Sequence, residues 1–167
     1  RPLKKEGMLT VTARTAGNPL VMANLITTTT GGAPDVSYEA GDGFVQGTAS
    51  GQNFAYSTTP GDIYEVENMK TDALAITWDG ASMLAAQCKT LLKNDRIVVE
   101  SDSPMTFELS SAGIKYAKCA GGSVAIGIDT KPAAISIDGE SVKFSYDSEK
   151  KAVLLAVPKG EGMITVK

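Results

Sequence analysis

The sequence predicts an all-β fold, an antiparallel two-sheet β-sandwich, and three observations carry that prediction. Apolar residues alternate with small or polar ones along many short runs, as in Val124, Ile126 and Ile128 or Val142, Phe144 and Tyr146, which is the period of half-buried strands. Residue pairs able to take positive φ, Asp79-Gly80 and Asp138-Gly139 among them, fall between such runs where tight hairpins close. About a dozen short strands separated by Gly, Asn and Asp turns suit stacked antiparallel sheets and not a βαβ arrangement.

Taken in order, "MLTVTAR" alternates Leu9, Val11 and Ala13 against Thr10, Thr12 and Arg14, a strand with one wet face. After the Gly17-Asn18-Pro19 turn, "LVMANLITTTT" is denser in apolar residues and suits a more central strand. Residues 31–61 are rich in Gly, Ser, Thr, Asp and Asn with scattered aromatics, a composition that predicts loop with short strands. "DALAITWDG" resumes the strand pattern, with Leu74, Ile76 and Trp78 on one face.

The stretch 81–92 is ambiguous, because Leu84, Cys88 and Leu91 have helical spacing among good helix formers. It follows a hairpin turn and has strands on both sides, so two short strands are expected there, with a helix as the alternative. "RIVVESD", "MTFEL" and "GIKYAKC" are further strands. Residues 123–167 close the domain as an antiparallel sheet. Within it Ala152 to Val157 is apolar at nearly every position, which predicts a strand covered on both faces.

A length of 167 residues fits one domain, 1–167, with a sizeable core. The chain opens on "RPLKKEG" without a leader, which gives the expectation of a mature or excised piece, the C-terminal part of a longer protein. A net charge of -3 and the lack of a basic stripe argue against nucleic acid as partner. No apolar run approaches the roughly 20 residues of a spanning helix, so no membrane insertion is expected. Cys88 and Cys119 fit either one disulfide or two separate thiols, and with no histidine they cannot complete a zinc site. The absence of histidine also excludes serine-histidine and cysteine-histidine nucleophile systems within this chain.

From Thr71 onward the order of motifs is familiar. The succession "TDALAITWDGASMLAAQCKTLLKNDRIVVESDSPMTFELSSAG", followed by "AAISIDGESVKFSYDSEKKAVLLAVPKGEGMITV", resembles the C-terminal β-sandwich of heparinase II/III-like polysaccharide lyases. The likeness runs through Asp79-Gly80, Asp95-Arg96, Ser101 to Pro104, Asp138-Gly139, Tyr146-Asp147 and Pro158 to Gly160. Closing hairpins of this kind also end accessory sandwiches of many glycoside hydrolases. In the lyases the catalytic tyrosine and histidine lie mainly on a preceding helical toroid. The resemblance therefore implies a non-catalytic piece of a secreted, extracellular or periplasmic carbohydrate-active protein. Its partners would be a polysaccharide or oligosaccharide, weakly bound, and the preceding catalytic domain of the same chain.

The candidate ligand-binding residues are Tyr38, Tyr56, Tyr64 and Trp78. A flat indole is a platform for a sugar ring, but Trp78 shares its predicted face with Ile76 and equally suits a core. Tyr38, Tyr56 and Tyr64 flank polar loops, where stacking and hydroxyl contacts are available; each also fits as a strand-end packing residue. Asp35, Glu39 and Asp42 offer oxygen ligands of the kind calcium takes, yet their spacing matches no calcium loop and a solvated acidic loop is the default. No metal and no cofactor are expected. Lys115 and Lys118 are expected to share one strand face, with Tyr116 on the other. The rival to an accessory glycan-binding domain is an immunoglobulin-like spacer of a cell-surface protein, without a ligand. A loop rim or concave face with two exposed aromatics favours the first, and burial of all the aromatics favours the second.

Overall fold

The computed structural model describes residues 36–49 and 51–167 in full and, before them, the course of two strands, β1 (Glu6–Ala13) and β2 (Val21–Thr28). These two pair antiparallel as a separate two-stranded sheet, so the strands expected at "MLTVTAR" and "LVMANLITTTT" are present. Their side chains, the Gly17 to Pro19 turn and Asp35 lie outside the described residues. Every described pairing is antiparallel and no helix occurs among the described residues. The fold is all-β and sandwich-like.

Two long strands organise the rest. They are β9 (Met83–Lys93) and β10 (Arg96–Ser110), a hairpin closed at Asn94 and Asp95, which both take positive φ. Each strand bends partway and serves two different sets of neighbours. Earlier in the chain come the meander β3 (Val36–Ala40), β4 (Phe44–Ala49) and β5 (Gln52–Ser57), the small hairpin β6 (Tyr64–Val66) and β7 (Met69–Thr71), and β8 (Ala75–Trp78). After the hairpin come β11 (Gly113–Lys118), β12 (Gly122–Gly127), β13 (Ile135–Ile137), β14 (Glu140–Ser141), β15 (Phe144–Asp147), β16 (Ala152–Val157) and β17 (Gly160–Val166).

The first half of β9 pairs with β8, and its last residues pair with β7. Likewise β10 meets β12 through Val99 to Ser101 and β11 through Met105 to Ser110. One arm therefore runs β3-β4-β5-β8-β9-β10-β11-β17-β13-β14, and the other leaves the same two strands toward β7 and β6 on one side and β12, β16 and β15 on the other. Their inner faces meet in one core. Ile76, Phe107, Tyr116 and Ile164 come from the first arm, and Leu91, Val99, Val124, Ile126, Val153 and Leu155 from the second. Burial of these side chains from both sides is what makes the bend profitable, since a single twisted sheet would leave either set wet.

The bends are built from bulges and each is secured by an aspartate. On β9 two residues, Ala86 and Gln87, oppose Thr106, and Gln87 takes a φ of 53°, the left-handed conformation of a bulge. Beyond it the Asp72 carboxylate accepts from the N–H groups of Lys89 and Thr90, both at 2.8 Å, where the strand changes direction. On β10 residues 101–104 swing out between the pairs Glu100–Thr90 and Met105–Cys88. There Asp102 accepts from Lys118 Nζ at 2.6 Å and from Ser123 N–H at 2.7 Å, joining β10 to β11 and β12.

The sequence expectations meet this structure unevenly. The stretch 81–92 is strand, in one piece and not two. Leu84 faces outward, and the helical spacing has a local cause: the bulge resets the alternation between Ala85 and Cys88, and the corner at Lys89 and Thr90 resets it again before Leu91, so these three point inward at intervals of three. Residues 36–57, within the stretch expected to be loop with short strands, form a meander of three short strands. β16 corrects a prediction, for Ala152 to Val157 is not covered on both faces: Leu154 is 49% exposed while Leu155 is 3% exposed. Leu74 is exposed just ahead of β8, so only Ile76 and Trp78 of the predicted face reach the core. Lys115 and Lys118 do not share a face either, since they lie an odd number of positions apart, three, on a regular strand. Lys118 points inward with Tyr116 and is 3% exposed.

Candidate functional site

The inner face of the first arm changes character toward its β3 edge. Going outward across paired strands, Ile76 and Trp78 on β8 are followed by Ala55 and Asn53 on β5, Gln46 and Thr48 on β4, and Ser37 and Glu39 on β3. All these positions share one face by alternation. The face is apolar where the second arm covers it and polar where that arm stops. The strands persist beyond the covered zone because their other face is buried in turn, through Val45, Ala49 and Phe54.

The resulting shelf forms the floor of a groove of about 280 Å³, bordered also by Trp78 and by Glu67. Glu67 sits in the tight β6–β7 turn at a φ of 53°, so the second arm supplies one wall. Gly47 lies in the floor because a side chain would collide with the Ser37 carbonyl oxygen, 2.0 Å from where its Cβ would stand. The floor side chains are ordered by cross-strand pairs. Ser37 and Thr48 share a hydroxyl hydrogen bond of 2.8 Å, and Gln46 Nε2 donates to Glu39 Oε1.

Chemically the groove offers hydroxyl, amide and carboxylate groups beside the rim of an indole. Such a set can donate to and accept from ligand hydroxyls and pack against one apolar ring face. Glu39, one of the three residues weighed for calcium, is engaged with Gln46, and Asp42 lies in the exposed β3–β4 turn. Among the described residues no three Cys, Asp or Glu side chains converge to hold a metal ion.

The four residues expected to bind a ligand do not form one site. Trp78 and Tyr38 both border the groove. Trp78 is only 8% exposed and is chiefly a core residue. Tyr38 is 58% exposed, but alternation along β3 directs its ring to the face opposite Ser37 and Glu39. Tyr56 also lies on that opposite face, half-buried, its ring 5.4 Å from Phe54, and burial raises its hydroxyl pKa above the ordinary value. Tyr64 is buried in the core, stacked on Phe44 with ring centroids 5.3 Å apart, and burial, with Cys88 and Asp72 nearby, raises its pKa further. Gln46, Thr48, Asn53 and Glu67 went unpredicted as groove residues. The local signal for Gln46 and Thr48 was the alternation Phe44-Val45-Gln46-Gly47-Thr48-Ala49, in which the polar residues share a face with an aromatic.

The remaining titratable groups with shifted behaviour are structural. Asp102 is held down to about 2 by the hydrogen bond from Lys118, then by the Ser123 N–H. Cys88 is buried and pushed up to about 12 by that burial, while Cys119 is exposed; both thiols are free, and the disulfide alternative does not form. Asp79 is lowered by the N–H groups of Ala81 and Ser82, which its Oδ1 accepts at 2.7 Å in the turn before β9.

No protein-family model matches the chain, and no curated protein matches it.

Proposed function

We propose that this domain is a non-catalytic carbohydrate-binding accessory of a polysaccharide-degrading enzyme, and that the groove over β3, β4 and β5 is where a glycan is held. The observation that supports this most is the polar overhang. A sheet that continues past its covering layer, and there exchanges Ile76 for Asn53, Gln46 and Thr48, presents fixed hydrogen-bonding groups in a concavity beside an indole. The volume suits one or two sugar rings. A lyase-like parent rests on the resemblance from Thr71 onward and on nothing in the groove.

A second reading has its own support. Tyr64 and Trp78 belong to the core, and Tyr38 alone of the four aromatics is strongly exposed, which favours a spacer with no ligand. Titration with oligosaccharides, followed by Trp78 fluorescence and by the side-chain amide resonances of Gln46 and Asn53, separates the two. Under the binding reading these signals move together at millimolar ligand, corresponding to roughly 4 kcal/mol, and Asn53→Ala weakens the response. Silence of all three probes toward every oligosaccharide would leave the spacer.

A further inference from the structure

We infer that the groove discriminates among glycans by charge, preferring amino sugars to uncharged sugars and uncharged sugars to uronates; this rests on the glycan-binding reading above. Among the described residues its lining includes two carboxylates, Glu39 and Glu67, and no lysine or arginine. The carboxylates come from different arms, Glu39 from β3 and Glu67 from the β6–β7 turn. Neither is loosely placed: Glu39 accepts from Gln46 on the adjacent strand, and Glu67 occupies a tight turn between paired strands. Lys70, the lysine nearest Glu67 along the chain, is paired with Asp95.

The hydroxyl and amide groups of Ser37, Thr48 and Asn53 pair with sugar hydroxyls of any glycan, so they set no charge preference. The carboxylates do. A uronate about 5 Å from one of them in water is disfavoured roughly fourfold, and an ammonium is favoured by a similar factor. Two such pairs give about sixteenfold between an uncharged and an acidic oligomer at low salt. The difference shrinks near 0.15 M salt, where the screening length is about 8 Å. An acidic polymer, the substrate class of the lyases this chain resembles, is therefore the poorest of the three ligands for this groove.

The test uses the 167-residue chain with β-1,4 oligomers of equal length built from glucosamine, glucose and glucuronate. Affinities are read from the Gln46 and Asn53 amide shifts at low and at about 0.15 M salt. The expected order is glucosamine, glucose, glucuronate, with ratios that narrow as salt rises. In the double variant Glu39→Gln, Glu67→Gln the ratios collapse toward one, whatever happens to the absolute affinities, and circular dichroism and the melting midpoint verify its fold. Glucuronate binding as tightly as glucose to the unaltered chain, or ratios that persist in the double variant, would overturn the charge inference while leaving glycan binding intact. Amides that respond to none of the three sink the binding reading itself and the inference with it.

Discussion

Adjacent leucines on β16 offer a test of the whole strand assignment, because Leu154 and Leu155 differ in little except the face they occupy. Leu155 is 3% exposed, pairs with Val124 and Phe144 on either side, and belongs to the shared core. Truncating it to alanine removes about three buried methyl-bearing carbons and leaves a cavity between the arms, a change that costs about 2–5 kcal/mol. Leu154 is 49% exposed. Full burial of a leucine is worth about 1.5–3 kcal/mol, so half of that, about 1 kcal/mol, bounds the cost of Leu154→Ala. Urea unfolding of both variants, analysed at a common m-value, gives the two numbers directly. With a typical domain stability of about 5–15 kcal/mol, Leu155→Asp goes further, since the carboxylate enters the core without a partner, and the chain should be largely unfolded in buffer. Leu154→Asp should fold. Equal losses at 154 and 155 would mean that β16 is covered on both faces. A larger loss at 154 would mean that the strand is slipped by one residue, which turns every side chain over.

Three further outcomes follow from single contacts. Gly127→Ala should lower stability by about 1–3 kcal/mol or prevent folding, because its Cβ would stand 1.8 Å from the Ile97 carbonyl oxygen, whereas Gly80→Ala, with open space around it, should change the melting midpoint little. A thiol reagent should label Cys119 within minutes at neutral pH and Cys88 only on unfolding, since Cys88 is buried and its thiol is pushed up to about 12; equal rates would contradict the core position of Cys88. Asp102 has a folded pKa of about 2, below the roughly 3.9 of an unfolded aspartate, so its contribution is complete above about pH 4 and disappears as pH falls through 2. Comparing urea midpoints at pH 6 and pH 2.5, the unaltered chain should lose more on acidification than Asp102→Asn, and an equal loss would remove the Lys118 pair from the account.

What the sequence made legible was whatever depends on near neighbours. Alternation in Val124 to Ile128 and in Phe144 to Tyr146, and the Asp138-Gly139 turn with φ of 52° and 85°, are set within a few residues, and these were predicted correctly. β9 and β16 mark the limit. At β9 a bulge broke the period of two and imitated a helix. At β16 an apolar outward residue, Leu154, imitated double coverage, because apolar surface is common on folded proteins and does not by itself report burial. The aromatics misled for a related reason. Tyr64 stands beside a polar stretch in the chain, but Phe44 reaches it from β4 and it is buried, while Tyr56 is half-buried beside Phe54, two positions earlier on the same strand.

The groove was illegible for a reason deeper than any one residue. Its floor is the same sheet face as the core, and nothing along β3, β4 or β5 says where the covering arm ends. That limit is set by β6 and β7, which turn back at Glu67 and Asn68 after three residues each and so stop short of the β3 edge. The short hairpin follows the β9 bend, since β7, through Met69 to Thr71, pairs with Leu91 to Lys93 at the end of β9, beyond the corner held by Asp72. Polar residues at Gln46, Thr48 and Asn53 are thus tolerated because a corner two strands away ends the opposing layer early. The groove and the corner are one construction.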